Sequence, residues 1–293
     1  MRRFDAFSSC HPGVRFLFFG LVVFFSMCLM HPACLLISFG SALALRLWLS
    51  GPGAVGRTLR LLVPLLLLTA LINPAFNHRG VTILWYLPSG NPVTLESVLY
   101  GLASATLLLS VVLWFSCYTE MVTSDQFLTL FGRLIPSLSL LLSMTLRFVP
   151  RFTVQLKQVA AAQRGLGRDL SKGPLRSRLR TGGTVLSILI TWSLENAIET
   201  ADSMKSRGYG LPGRTAYTLY TLDSRDRGLL LWLAFCGVYL LVGWRAGCFT
   251  WRYFPMILWG ELTPFSLTFP LCYLALCLTP LILTGREDLR WKH

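Results

Sequence analysis

The chain is 293 residues long, with hydrophobic residues at 54%, charged residues at only 14% and a formal net charge of +14. A soluble domain of this size carries nearer a quarter charged residues, so the composition excludes an ordinary soluble protein and identifies an integral membrane protein. The basic excess is expected to face lipid headgroups and protein partners, and no nucleic acid.

Six apolar stretches approach or reach the roughly 20 helical residues needed to cross a ~30 Å hydrocarbon core. They are Phe16–Met30, Cys34–Trp48, Leu61–Ala75, Val98–Cys117, Leu229–Val242 and Thr263–Thr284. The first three are short, and Pro64 and Pro74 predict a kink in the third. Gly228 and Gly243 bracket the fifth. Arg2, Arg3 and Arg15 precede the first run, but no small-residue cleavage site follows it, so no cleavable signal is expected.

Between the fourth and fifth spans the chain changes character. Residues 1–118 and 228–293 are expected to form transmembrane helices, and 119–227 a cytoplasmic region with two amphipathic helices. Phe127–Met144 is still apolar but is interrupted by Gly132, Arg133 and Pro136, which suits a re-entrant or surface-lying segment. Pro150 is expected to open the first long helix, at a position where its missing N–H costs nothing. Phe152, Leu156, Val159, Ala160 and Gln163 share one face of that helix, and Gly165 and Gly167 end it.

The stretch Asp169–Gly183, with Lys172, Arg176, Arg178 and Arg180 among Gly173, Pro174 and Gly182, predicts an exposed loop over the headgroups. A second helix is expected over Thr184–Arg207. Its stripe of Ile190, Leu194, Ala197, Ile198, Ala201 and Met204 is helical in period, with Glu195, Glu199 and Asp202 on the adjacent face. Val185–Trp192 is apolar all round and is expected to be buried. Lys205 and Arg207 complement the dipole, Gly208 suits a left-handed cap, and Pro212 prevents the helix from resuming.

Six spans with the N-terminus inside place only Arg79, Arg245 and Arg252 outside. The remaining Lys and Arg fall inside or on inner span ends, as the positive-inside rule requires. Both termini are therefore expected in the cytoplasm. Eight cysteines and four histidines lie scattered, with no CxxC pair and no Cys/His cluster, so neither a metal site nor a cofactor is expected.

Both helix tips end in an arginine followed by glycine: Ala162-Gln163-Arg164-Gly165 and Lys205-Ser206-Arg207-Gly208. An arginine at a helix C-terminus ordinarily just offsets the dipole, worth ~0.3–1 kcal/mol. Two such tips joined by a basic stretch shift the balance toward a partner surface lined with carboxylates or carbonyls, which suits the five-donor guanidinium fork.

Three pieces carry a family resemblance: Asn73–Leu84 with Thr94-Leu95-Glu96-Ser97 and Tyr100-Gly101-Leu102, Leu146–Pro150 leading into Ala162–Gly165, and Ala201–Gly210. With them the chain resembles the transmembrane (T) component of energy-coupling factor (ECF) transporters, the ABC-type importers of vitamins and transition-metal ions. The resemblance implies an all-α polytopic bundle of about six transmembrane helices plus two long cytoplasmic coupling helices. It implies a non-catalytic subunit in the plasma membrane, with two cytoplasmic ABC ATPases and a small substrate-binding membrane S component as partners. Each coupling helix would carry an Ala-Arg-Gly-like motif whose arginine docks in a groove of one ATPase.

Arg207, with Ser206 and Gly208, matches the second motif well. In the first, Leu166 sits where the family pattern Ala-Gln-x-Ala-Arg-Gly has its arginine, so Arg164, beside Gly165, or Arg168 must substitute, and Arg164 is preferred. Arg147 and Pro150 match the start of the first coupling helix.

Other classes fare worse. His78, Arg79 and Glu96 are the nearest approach to a catalytic group, and no Ser-His-Asp, HExxH or P-loop spacing occurs. Phe16–Met30, Leu61–Ala75 and Leu229–Val242 contain no ionisable Asp, Glu, Lys, Arg or His, which argues against an ion-coupled secondary transporter. The permease subunit of a conventional ABC transporter is the nearest alternative, though it docks on its ATPases typically through one short loop. A membrane scaffold without an ATPase is a further one.

Overall fold

The computed structural model describes residues 7–290 apart from 79, 87–90, 124–125, 128–129, 131–135, 170, 172, 213–219, 249–250 and 260–263. Arg79, Lys172, and Gly132 with Arg133 thus lie outside the described residues. In chain order the elements are α1 (Pro12–Cys28), α2 (Pro32–Phe76), β1 (Ile83–Tyr86), β2 (Pro92–Thr94), α3 (Leu95–Met121), α4 (Pro136–Gly165), α5 (Leu175–Ser206), α6 (Ser224–Arg245), β3 (Trp251–Arg252), β4 (Leu258–Trp259) and α7 (Pro264–Arg290). They fall into two compact units: Met1–Gln126 with Tyr220–His293, and Phe127–Leu219.

The first unit holds the apolar helices. Pro32–Arg60, Leu95–Met121, Ser224–Arg245 and Phe265–Glu287 are long and apolar enough to cross a membrane, and Pro12–Cys28 and Leu62–Phe76 are shorter apolar helices. The second and third predicted spans lie on two helices, together labelled α2, that meet at a kink where Gly51 takes a positive φ of 76° immediately before Pro52. Helices α1 and α2 begin alike. His11 and His31 each accept a backbone N–H two residues on, from Gly13 at 3.1 Å and Ala33 at 3.3 Å, and proline follows at the first helical position. The imidazole thereby replaces the usual hydroxyl or carboxylate cap.

Four helices meet at Ser38. Its hydroxyl oxygen accepts the Trp114 indole N–H of α3 at 3.1 Å and lies 2.7 Å from the Ser26 hydroxyl of α1. Ser26 is in turn 2.8 Å from the Tyr273 hydroxyl of α7. Phe18 packs edge-on against Trp114 at 5.9 Å between ring centres, within a core of Val14, Phe25, Leu113, Leu240 and Cys277.

At the end of the unit where α1 begins, two arginines reach the end of α3. Buried Arg15 donates to the Met121 carbonyl at 2.9 Å, and Arg46 pairs with Glu120. The Met121 carbonyl, in the last turn of α3, lacks an intrahelical partner, and Arg15 supplies one. The His11 amide donates to buried Asp226 at 3.2 Å, tying α1 to α6.

At the opposite end, buried Glu96 accepts the backbone amide of Thr82 at 3.2 Å and its hydroxyl at 2.9 Å. The β1–β2 hairpin is thereby fixed to the start of α3. Close approach of backbone is needed at Gly101, where an added Cβ would lie 2.7 Å from the Ala70 carbonyl oxygen of α2. Tyr253 donates to the Met30 carbonyl at 3.1 Å and so seats the β3–β4 hairpin on the α1–α2 turn.

The second unit departs from the sequence expectation in three places. Helix α4 starts at Pro136 and runs through Pro150, so Pro150 does not open it. The residues between the two prolines hold no glycine and several leucines, and they propagate the helix across one missing hydrogen bond. Helix α5 starts at Leu175, so only the first part of Asp169–Gly183 is loop. Gly182 and Gly183 cost about 1 kcal/mol each, less than helix on both sides supplies. Finally, Val185–Trp192 is buried on one face only, at Val185 and Leu189, while Leu186 and Ile190 are exposed.

Two substitutions test the bundle. Ser38→Ala strands the Trp114 N–H and one Ser26 contact, and is expected to cost about 1–3 kcal/mol. Gly101→Ala forces α2 and α3 apart, at a similar cost for overpacking. Thermal unfolding of the detergent-solubilised chain should show lowered midpoints for both. An unchanged midpoint for Ser38→Ala would show that the hydroxyl junction adds nothing.

Candidate helix-tip docking site

Both long helices of the second unit end in the same hydrogen-bonded cap. On α4 the Arg168 amide donates to the Gln163 carbonyl at 2.9 Å and the Gly167 amide to the Arg164 carbonyl at 3.0 Å. On α5 the Tyr209 amide donates to the Met204 carbonyl at 3.0 Å and the Gly208 amide to the Lys205 carbonyl at 3.0 Å. Gly167 and Gly208 both have φ of 78°. This pair of bonds, closing on a left-handed glycine, is the Schellman cap.

The caps fix which residues correspond. With Gly167 and Gly208 aligned, Leu166 occupies the place of Arg207, Arg164 that of Lys205, Gly165 that of Ser206 and Arg168 that of Tyr209. The sequence pairing of Arg164-Gly165 with Arg207-Gly208 is therefore out of frame by two residues. Gly165 is an ordinary helical residue with open space where a Cβ would lie.

The arginines differ in their surroundings. Arg164, with 67% of its side chain exposed, lies 3.5 Å from the Asp169 carboxylate, an exposed pair worth about 0–1 kcal/mol. Arg168 is exposed just beyond the cap. Arg207 is exposed at the cap itself, with no ion pair among the described residues. Ser206 turns its hydroxyl back to the Asp202 carbonyl at 2.8 Å, so it is occupied by its own helix. Leu166, at the equivalent position of the first tip, is 71% exposed. Arg147 and Pro150 are exposed in the interior of α4.

The shafts behind the tips pack through Phe152 and Trp192, whose rings meet edge to face at 5.5 Å and 86°. A groove of about 400 Å³ opens beside them, lined by Thr145, Phe148, Val149, Ser193, Asn196 and Ala197 as well as the two rings. Sequence periodicity placed Phe152 on one face of its helix with Leu156 and Val159, but that Trp192 is its partner carried no signal. The apolar stripe of α5 is exposed at Ile190, Leu194 and Ile198, where the sequence reading gave no means of telling packing from a free surface.

Of the residues weighed as a catalytic group, His78 and Glu96 are described and Arg79 is not. His78 faces the Pro92 carbonyl at 3.2 Å, and Glu96 is committed to Thr82. Among the described residues no group of three His, Cys, Asp or Glu is placed to hold a metal ion.

Residues 8–217 match the family model CbiQ, cobalt transport protein. The chain is 38% identical over 111 residues to the energy-coupling factor transporter transmembrane protein EcfT of Exiguobacterium sibiricum, covering 38% of this chain and 42% of that protein. It is 29% identical over 174 residues to EcfT of Lactobacillus helveticus, covering 56% and 63% of the two chains. EcfT of Bacillus subtilis is 30% identical over 98 residues, 33% of this chain and 37% of that one. Each match thus spans less than two thirds of the relative's length.

Glycine substitutions separate the two frames. Gly208→Ala and Gly167→Ala place a Cβ on a left-handed residue and are expected to cost about 1–2 kcal/mol at the tip. Gly165→Ala should be neutral or stabilise by about 0.5–1 kcal/mol. Hydrogen exchange of the amides in the last turns reads the difference. Equal loosening by Gly165→Ala and Gly167→Ala would mean that the first cap closes elsewhere.

Proposed function

The chain belongs to the CbiQ family and is a transmembrane component of the energy-coupling factor type, and from that premise we propose that it transmits ATP-driven motion of two cytoplasmic ATPases to a separate substrate-binding S component. The cargo on this reading is a vitamin or a transition-metal ion. Six crossings with both termini in the cytoplasm suit the distribution of Lys and Arg and put the second unit on the ATPase side.

The observation that carries the reading is Arg207, an exposed guanidinium seated on a rigid cap. A lever must convey displacement without absorbing it. Helix α5 runs unbroken for 32 residues, and its last turn is closed by two cap bonds rather than left to fray. A guanidinium on such an end meets a carboxylate or carbonyl groove with little further ordering. Arg164 can act similarly at the first tip only by leaving Asp169, and Arg168 only from one residue past the cap. Leu166 takes the position that matches Arg207, so the first contact is the weaker or the more apolar.

The exposed apolar residues Leu186, Ile190, Leu194 and Ile198 on α5 offer a second membrane protein a continuous face, which suits a small S component. Hydrolysis belongs to the partners, since the chain has no phosphate-binding loop.

Arg207→Ala tests the reading. Truncating a desolvated interface arginine costs on the order of 2–4 kcal/mol, so ATPase co-purification should fall by tenfold or more while membrane insertion is unchanged. Arg164→Ala should have a smaller effect. Wild-type assembly and uptake with Arg207→Ala would refute the docking role. Co-purification with two ATPases and a small membrane protein separates this reading from a conventional permease subunit.

A further inference from the structure

The first two turns of α5 form a surface of a different kind from the rest of that helix. Leu175 is 70% exposed and Leu179 68%, one helical turn apart on the same side. Arg176, Arg178 and Arg180 are exposed around them, and Thr181 is the first residue of this helix to turn inward. No Asp or Glu occurs between Asp169 and Glu195. Further along, the flanking charge changes sign, with exposed Glu195, Glu199 and Asp202.

Two features of this segment are costly in water. Arg176 and Arg180 stand near the positive end of the helix dipole with no acidic residue in the first turn, which disfavours the helix unless anions lie close by. Two large leucines extend into solvent beside them. An anionic bilayer surface relieves both at once, because arginines at headgroup depth gain attraction while leucines enter the acyl boundary. An acidic protein groove would answer the arginines but not the paired leucines.

We propose that residues Leu175–Arg180 are an in-plane anchor that recognises the anionic phospholipid of the inner leaflet, holding the start of α5 at the membrane surface. The proposal goes beyond ATPase docking: it concerns the opposite end of the helix from Arg207 and fails or stands independently of that residue. The lipid fixes one end of the lever, and the tip at the other end is left to swing.

The test uses the full chain in nanodiscs of phosphatidylcholine alone or with about one third phosphatidylglycerol, read by hydrogen exchange over residues 175–185. Each basic residue at an anionic surface is worth about fivefold in binding, so the anionic lipid should slow exchange at least tenfold, and high salt should reverse the effect. Replacing the three arginines by glutamine should abolish the lipid dependence, while replacing them by lysine should preserve it, because a surface reads charge rather than fork geometry. Leu175→Ser with Leu179→Ser should weaken it. Exchange in α3 serves as the control that each variant is folded. Equal exchange in the two lipids, protection in phosphatidylcholine discs by inorganic phosphate alone, or loss of protection in the lysine variant would each overturn the proposal.

Discussion

Inside a bilayer, lipid tails are as apolar as leucine, so helices gain little from burying one another's apolar faces and depend on close packing and hydrogen bonds for association. The membrane unit answers this constraint at Ser38. One small hydroxyl joins α2 to α1 through Ser26 and to α3 through Trp114, and Ser26 extends the junction to Tyr273 of α7. Every donor at this depth must find an acceptor within the protein, which fixes the rotation of four helices about their own axes. The aromatic packing of Phe18 and Phe19 around Trp114 follows from that registration rather than producing it.

The ends of the bundle use a second device suited to the same medium. Arg15 donates to the carbonyl of Met121, the last residue of α3, where the helix dipole is negative, and Arg46 pairs with the Glu120 carboxylate beside it. Glu96 accepts amide and hydroxyl protons from Thr82. Arg15 and Glu96 thereby close a helix end and a hairpin end that lipid would leave unsatisfied.

Much of this was legible in the sequence. The six apolar runs fell on α1, the two halves of α2, α3, α6 and α7, because uninterrupted hydrophobicity leaves a helix little alternative in lipid. The second unit was harder. Pro150 and the Gly182-Gly183 pair look like boundaries because their local cost is real, yet helices already propagating on both sides absorb it. Phe152 was placed on a helix face and Trp192 in a stretch expected to be buried, yet their pairing was not legible, because helical period gives a direction and not the partner met in that direction. The frame of the first tip stayed open between the pairing of Arg164-Gly165 and the gapless alignment that puts Leu166 in the place of the arginine. Two glycines stand within three residues, and only the left-handed φ of Gly167 shows which one closes the helix.

That frame has a consequence for whatever reads the tips. The caps of α4 and α5 close with the same pair of bonds on a glycine of the same φ, so what distinguishes them is the chemistry of the side chains they carry. A partner meeting both must receive an exposed leucine at one cap and a guanidinium at the other. A groove built for a guanidinium offers carboxylates or carbonyls, and seating a leucine there would strip those groups of water without returning a hydrogen bond. An apolar pocket would in turn strand the charge of Arg207. One surface cannot serve both well, so the two contacts are unequal in strength unless the receiving surfaces differ. On the proposed function, force delivered through such a pair would enter chiefly by way of α5, the helix whose tip offers the directional contact.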